Sequence, residues 1–252
     1  MRFVELEEAK VLPGARLVVV GVVPSPWSQG ALGLLDLKRA DYAAVRFQRG
    51  DEGLRAWTGT HNAPVLFVDD EPPRTGWADI LAAVDRMSGP PLVPAVADAR
   101  VRLMGLANEI LGEGGLAWSV RLLLTHAGLT TGGERGWPPP LARYLGAKYG
   151  YAPERVETAR ARAIQALALL GRALEGGGGE YFFGPAPTAL DVYAAATMGL
   201  IAPMAEAECA LPPVIRRAFE TLDDEVKAAV PEELLAHRRR MFERHLVLPV
   251  RV

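Results

Sequence analysis

Ser25 and Ser28 are the side chains here whose setting suggests chemistry, in the run Val18-Val19-Val20-Gly21-Val22-Val23-Pro24-Ser25-Pro26-Trp27-Ser28. The apolar run has the length of a strand and stops at a proline. From Trp27 to Ala40, Leu32, Leu35 and Leu37 then recur at helical spacing, so a strand feeds a helix. Ser25 falls at the N-cap and Pro26 at the first helical position, which needs no N–H. The Ser25 hydroxyl and the free amides after it converge on one spot, where the positive end of the helix stabilises a thiolate or another anion. Taken alone, the same four residues are also an ordinary helix cap. Hydrolase chemistry has no support, because neither a Gly-x-Ser-x-Gly elbow nor a placed histidine accompanies Ser25.

The elements that must hold this spot follow in order. Residues 1–14 end in the turn signal Leu12-Pro13-Gly14 and read as an added segment or short edge strand. Tyr42–Phe47 reads as a second strand, completing a βαβ unit with parallel strands. Gly50–Trp57 is a short helix or loop. An apolar strand starts at Pro64 and turns at Asp69-Asp70, and a hairpin arm through Pro72 and Pro73 makes an edge strand. Trp77, Ile80, Leu81 and Val84 share one helical face. Ser88–Pro94 is a proline-rich linker, beyond which β-branched alternation disappears. The division expected is residues 1–87, a linker over 88–97 and an all-helical domain over 98–252. Its helices are predicted at Asp98–Leu111, Leu116–Ala127, Pro140–Tyr149, Pro153–Leu174, Thr188–Ala202, Pro212–Ala229 and Pro231–His245. Thr188-Ala189-Leu190-Asp191 has capping-box spacing.

Composition narrows the partners. The 28 basic and 30 acidic side chains nearly cancel over 252 residues, which argues against a nucleic-acid or anionic-membrane binder. Acids at Glu5, Glu7 and Glu8, with no apolar stretch of spanning length, lead us to expect a cytoplasmic protein. The single cysteine, Cys209, suits a reducing compartment and reads as a structural thiol. The four histidines show no metal-ligand spacing, so no metal is expected. His61 is a loop residue. Trp118, Arg121, His126, Trp137 and Tyr144 are candidates to line a pocket where the helical half faces the first.

The order β-α-β-α-β-β-α, the Ser-Pro-x-Ser opening, the proline at the third strand, the proline-rich linker and the helical second half together resemble the glutathione S-transferase superfamily. The resemblance covers roughly residues 15–230. It implies an α/β thioredoxin-like domain followed by an all-α domain, with Ser25 contacting the sulfur of glutathione as cosubstrate. It also implies a cis bond at Ala63-Pro64, with Ala63 offering its backbone to the tripeptide, and a homodimer. The cosubstrate site would comprise Trp27, Ser28, Ala63, Pro64, Thr75, Gly76 and Trp77, and the electrophile pocket Trp118, Arg121, Trp137 and Tyr144. Ser25 and Ser28 stand where redox relatives hold two cysteines, and a hydroxyl cannot form the mixed disulfide of thiol exchange.

At one turn the sequence departs from the pattern. The family holds the γ-glutamyl end with an acid and a serine or threonine, where this chain has Thr75-Gly76-Trp77. Two readings follow. One is an enzyme joining a thiol to a small electrophile; the other is a non-catalytic binding or structural module of the same fold.

Overall fold

The structure is a computed structural model that describes residues 1–251. Its centre is β2 (Ala15–Val20), the apolar run that precedes Ser25. On one side β2 pairs in parallel with β3 (Tyr42–Phe47), which pairs in parallel with β1 (Arg2–Phe3); on the other it pairs antiparallel with β4 (Val65–Val68). The order across the sheet is therefore β1-β3-β2-β4.

Alternation along β2 sorts its side chains to two faces. Ala15, Leu17 and Val19 meet α2 (Pro26–Leu37) and α4 (Trp77–Asp85), while Val18 joins Val45, Val65 and Phe67 beneath α1 (Leu6–Val11) and α3 (Glu52–Thr58). Trp57 of α3 stacks on Phe67 with centroids 4.2 Å apart.

Two expectations are corrected here. The hairpin arm through Pro72 and Pro73 is no strand: prolines cannot donate to the ladder, and pairing shrinks to a bridge between Leu66 and Arg74. The fourth strand is Arg2–Phe3, the short edge strand that is one reading of residues 1–14; the same segment also holds α1, which the sequence reading did not anticipate.

Among the described residues, everything helical after the linker begins at α5 (Ala97–Leu111). It continues through α6 (Leu116–Thr130), α7 (Pro139–Tyr149), α8 (Val156–Gly176), α9 (Ala189–Ile201), α10 (Pro213–Glu220), α11 (Asp224–Ala228) and α12 (Glu232–Arg244). The helix expected over Pro212–Ala229 is two. Thr221 turns its hydroxyl back onto the Arg217 carbonyl at 2.7 Å, and Asp223 starts the next helix by accepting from the Val226 N–H.

One apolar cluster runs from β2 through α2 into the helical half. Helix α2 lies against α9 because Gly30 and Gly33 leave room: a Cβ on Gly33 would stand 2.5 Å from Val192 Cγ1, and one on Gly30 would stand 2.9 Å from the Tyr193 ring. At the head of α9, Asp191 accepts from the N–H and hydroxyl of Thr188, completing the capping box, and also from the Phe182 N–H and His237 Nε2. The linker is pinned too, since the Leu92 N–H donates to Asp85 and its carbonyl accepts from the Ala189 N–H.

Candidate functional site

Between the head of α2 and the helices α6 and α7 lies a cavity of about 730 Å³. Ser25 stands at its edge as the N-cap of α2, with Pro26 in the first turn. Its hydroxyl makes no capping bond, and among the described residues it has no partner. The side chain is therefore 4 % exposed yet unspent, at the positive end of a twelve-residue helix. The backbone before it is unusual. Val22 has φ +71°, a conformation that β-branched residues seldom adopt.

Ser28 has a different job from the one expected. Its Oγ accepts from the Val20 N–H at 3.0 Å, tying the end of β2 to the first turn of α2; the residue is fully buried and does not line the cavity. Trp27 does line it, and its indole N–H donates to the Leu111 carbonyl at 2.8 Å, which fixes the head of α2 to the end of α5.

The rest of the sheet-side wall comes from Ala63, Pro64, Thr75, Gly76 and Trp77. The Ala63-Pro64 bond is cis. The Ala63 N–H, expected to be free, is engaged by Asn62 Oδ1 at 3.0 Å. Gly76 is the N-cap of α4 with φ −84°. Asp79, one turn on, does not reach the cavity lining.

The helical wall is aromatic and cationic. Trp118, Arg121, Tyr144, Lys148 and Tyr149 face the cavity. Trp27 stacks near Tyr149 (centroids 6.0 Å apart, planes 26° apart), and Trp118 meets the Tyr149 ring edge-on at 4.7 Å. The Trp118 indole N–H donates to the Tyr149 carbonyl at 3.2 Å, leaving its ring faces as what it offers. The Arg121 guanidinium lies 5.2 Å from the Trp27 ring and 5.5 Å from that of Tyr149. Arg49, from the end of β3, sits 5.0 Å over the Tyr144 ring, and the Lys148 ammonium donates to Asn62 Oδ1 at 2.7 Å. Burial first, then the like charge of Arg121, draws Lys148 below the ordinary lysine range. Burial raises the Tyr149 phenol, so that it stays neutral, against a smaller opposing pull from Arg121.

Among the described residues, no aspartate, glutamate or histidine lines this cavity, and no group of three metal-ligating side chains occurs. Trp137, expected in the pocket, does line it; it is 1 % exposed and packs edge-on against Phe219 at 5.4 Å. It closes the cavity floor as part of the core. His126 bonds the Tyr151 hydroxyl at 2.9 Å and lines a separate hollow, while His61 is exposed on its loop. Cys209 is buried away from the cavity, and burial pushes its thiol up.

Sequence reasoning missed Arg49, Asn62, Lys148 and Tyr149. A usable signal existed for Lys148: no acid stands three or four residues to either side of it, and the same holds for Arg121.

Neither the protein-family models nor the curated proteins give a match to this sequence. Solved structures do match its fold. A maleylacetoacetate isomerase from Methylobacterium extorquens AM1, with bound malonate and glutathione, is 22 % identical; the match covers 89 % of this chain and 97 % of that one, with a TM-score of 0.53. A glutathione S-transferase domain-containing protein from Marinobacter aquaeolei VT8 is 19 % identical over 92 % and 100 %, with a TM-score of 0.63. A rice glutathione S-transferase in complex with glutathione is 19 % identical over 94 % and 91 %, with a TM-score of 0.58.

Proposed function

We propose that this chain, which has the glutathione S-transferase fold, activates a thiol cosubstrate at Ser25 and joins it to a small electrophile held against the helical wall. The observation that carries this reading is the buried, uncapped Ser25 hydroxyl at a helix head, opening on a cavity large enough for two small molecules. Residues 1–87 act as the thiol-binding domain and those after the 88–97 linker as the electrophile-binding one.

In this mechanism the thiol sulfur sits within hydrogen-bond reach of Ser25 Oγ. The hydroxyl donates to the thiolate, and the end of α2 favours the charge, so the thiol proton leaves to solvent near neutral pH. The sulfur then forms a C–S bond as the electron pair of the breaking carbon bond departs with the leaving group. Proximity and thiolate stabilisation supply the rate, with the nucleophile belonging to the cosubstrate.

The cosubstrate is glutathione or a thiol of similar shape, met by the backbone around Ala63-Pro64 and by Thr75-Gly76-Trp77. A second reading, a non-catalytic module of the same fold, is favoured by one observation: Thr75 and Gly76 offer no carboxylate to the glutathione ammonium. The same proposal carries a homodimer in the cytoplasm, and the lone cysteine suits a reducing compartment.

The deciding measurement is conjugation of small thiols, glutathione included, to a chlorodinitrobenzene, followed by absorbance. Turnover that falls in Ser25→Ala supports the enzyme. Turnover indistinguishable between the two proteins removes Ser25 from the mechanism, and silence with every thiol favours the binding module.

A further inference from the structure

Arg121 differs from the other deeply buried charged groups. Arg16 donates to the carbonyls of Leu12, Gly14 and Asp69, Lys38 to those of Asp85 and Met87, and Asp191 is bonded by Thr188, Phe182 and His237. Arg121 is 6 % exposed and lines the cavity, yet among the described residues it forms no hydrogen bond and no ion pair, and its Nε is buried without a partner. A guanidinium taken out of water with its donors unused is costly, and such sites are ordinarily completed by an acceptor. Here the acceptor is not in the chain.

The surroundings say what kind of acceptor fits. The guanidinium packs beside the stacked Trp27 and Tyr149 rings, 5.2 and 5.5 Å from their centroids, and Trp118 and Tyr144 line the same cavity. Lys148 is bonded only to the neutral amide of Asn62, and Arg49 rests on Tyr144. Among the described residues neither forms an ion pair. With no acid in the lining, the cavity presents positive charge next to flat apolar surface. Arg offers two parallel N–H donors, which match the two oxygens of a carboxylate.

We propose that the second substrate is a planar organic carboxylate: its carboxylate paired with Arg121, its flat body among Trp27, Trp118, Tyr144 and Tyr149, and Lys148 and Arg49 drawing it in. This rests on the two-substrate reading of the cavity, with the thiol at Ser25. Arg121 rises from α6 and lines the same cavity as Ser25, so a carboxylate held there shares the cavity with the thiol site.

The test is calorimetry on the intact protein, without any thiol, using 4-nitrobenzoate and its neutral isostere 4-nitrobenzamide. The carboxylate should bind roughly ten- to a hundredfold more tightly, as expected for a charge-assisted pair, and high salt should narrow the gap. Arg121→Met should lose that preference while its affinity for the amide stays within about twofold, and Arg121→Lys should restore part of it. Equal affinity of the wild-type protein for the two compounds overturns the proposal. So does a preference that survives in folded Arg121→Met. If the variant does not fold, the wild-type comparison still decides. A further titration at saturating glutathione separates the two anion sources: unchanged nitrobenzoate binding keeps Arg121 for the second substrate, and competition hands it to the carboxylates of the thiol and overturns the assignment. No thiol enters the first measurement, so its failure leaves the Ser25 mechanism untouched, and failure of the Ser25→Ala test leaves the carboxylate preference untouched.

Discussion

Replacing Arg121 with methionine should make the protein more stable, although it removes a large, buried, well-packed side chain. The guanidinium is 6 % exposed and has no hydrogen bond among the described residues. Burying a charge carries an effective penalty of several kcal/mol. Against it stand two cation–π contacts at 5.2 and 5.5 Å, together about 1–3 kcal/mol at partly desolvated sites. Methionine keeps most of the length and places a thioether against the same two rings, so little packing is lost. The balance favours the variant by about 1–3 kcal/mol, which for a chain of this size corresponds to roughly 2–10 °C in Tm. Urea unfolding, followed by circular dichroism, checks the free energy at an unchanged m-value, and a thermal scan checks the midpoint. Adding 4-nitrobenzoate should close the gap from the other side, stabilising the wild type by about 2.7 kcal/mol at a hundred times Kd and the variant far less. A variant less stable than the wild type would refute the reasoning, since the rings would then compensate the charge and no external acceptor would be called for.

Ser25→Ala should cut conjugation about 10- to 1000-fold, with the apparent Kd for the thiol little changed, because one donor to developed charge is removed; steady-state kinetics beside calorimetry separate the two. Thr75→Glu with Gly76→Ser should tighten glutathione binding roughly ten- to a hundredfold by giving its ammonium a partner. Gly76 is the N-cap of α4, where serine is preferred, and the new Cβ would press only on the movable Asp79 carboxylate at 3.2 Å. Unchanged affinity in the folded double variant refutes that turn's role. Gly33→Ala should destabilise by about 1–3 kcal/mol, since its Cβ would stand 2.5 Å from Val192 Cγ1, and chemical unfolding reads it directly. Lys148 sits below the ordinary lysine range in the free protein, and a bound carboxylate favours its charged form and raises it again. Binding should therefore take up a proton at pH values between the free and bound pKa, and affinity should fall as pH rises through the bound one. Calorimetry in two buffers of different ionisation enthalpy would show no difference if Lys148 plays no part.

The parts of the fold legible in the sequence are those with local causes. The unbroken run into Val20, the Ser25-Pro26 start and the spacing of Leu32 and Leu35 are each visible within a few residues, and β2 and α2 form there. Strand β1 is two residues long and is held by β3 from more than thirty-five positions away, so the sequence offers a short edge strand over residues 1–14 only as one alternative and cannot fix its bounds. Helix α1 has six residues, too few for an apolar period to repeat. The hairpin was overread because turn residues at Asp69-Asp70 signal a reversal whether or not the returning arm can donate. Pro72 and Pro73 cannot, so one bridge is left. At the site, Ser28 is a residue type that does serve pockets, and only its partner, the Val20 N–H, places it in the core; Trp137 lines the cavity as expected, though packed against the Phe219 ring.

Charge explains which part of the cavity was hardest to read from the sequence. A sequence records that Arg49, Arg121 and Lys148 are basic; it does not record what each lacks. Some of the chain's cations meet an acid brought in from far along the sequence, as Arg86 meets Glu71 and Arg160 meets Asp223. The three at the cavity do not, although they come from the end of β3, from α6 and from α7. Their convergence gives the cavity a positive field, to which the Ser25 helix head adds the same sign. Every charged side chain of the cavity lining therefore favours negative charge, and no carboxylate is there to pair with an ammonium. A zwitterionic thiol would then find partners for its sulfur and carboxylates and no carboxylate for its amine, whereas an acidic second substrate would present only charge of the favoured sign. On the proposed mechanism, the same field that would steady a thiolate at Ser25 would also favour an acidic molecule as the one that thiolate attacks.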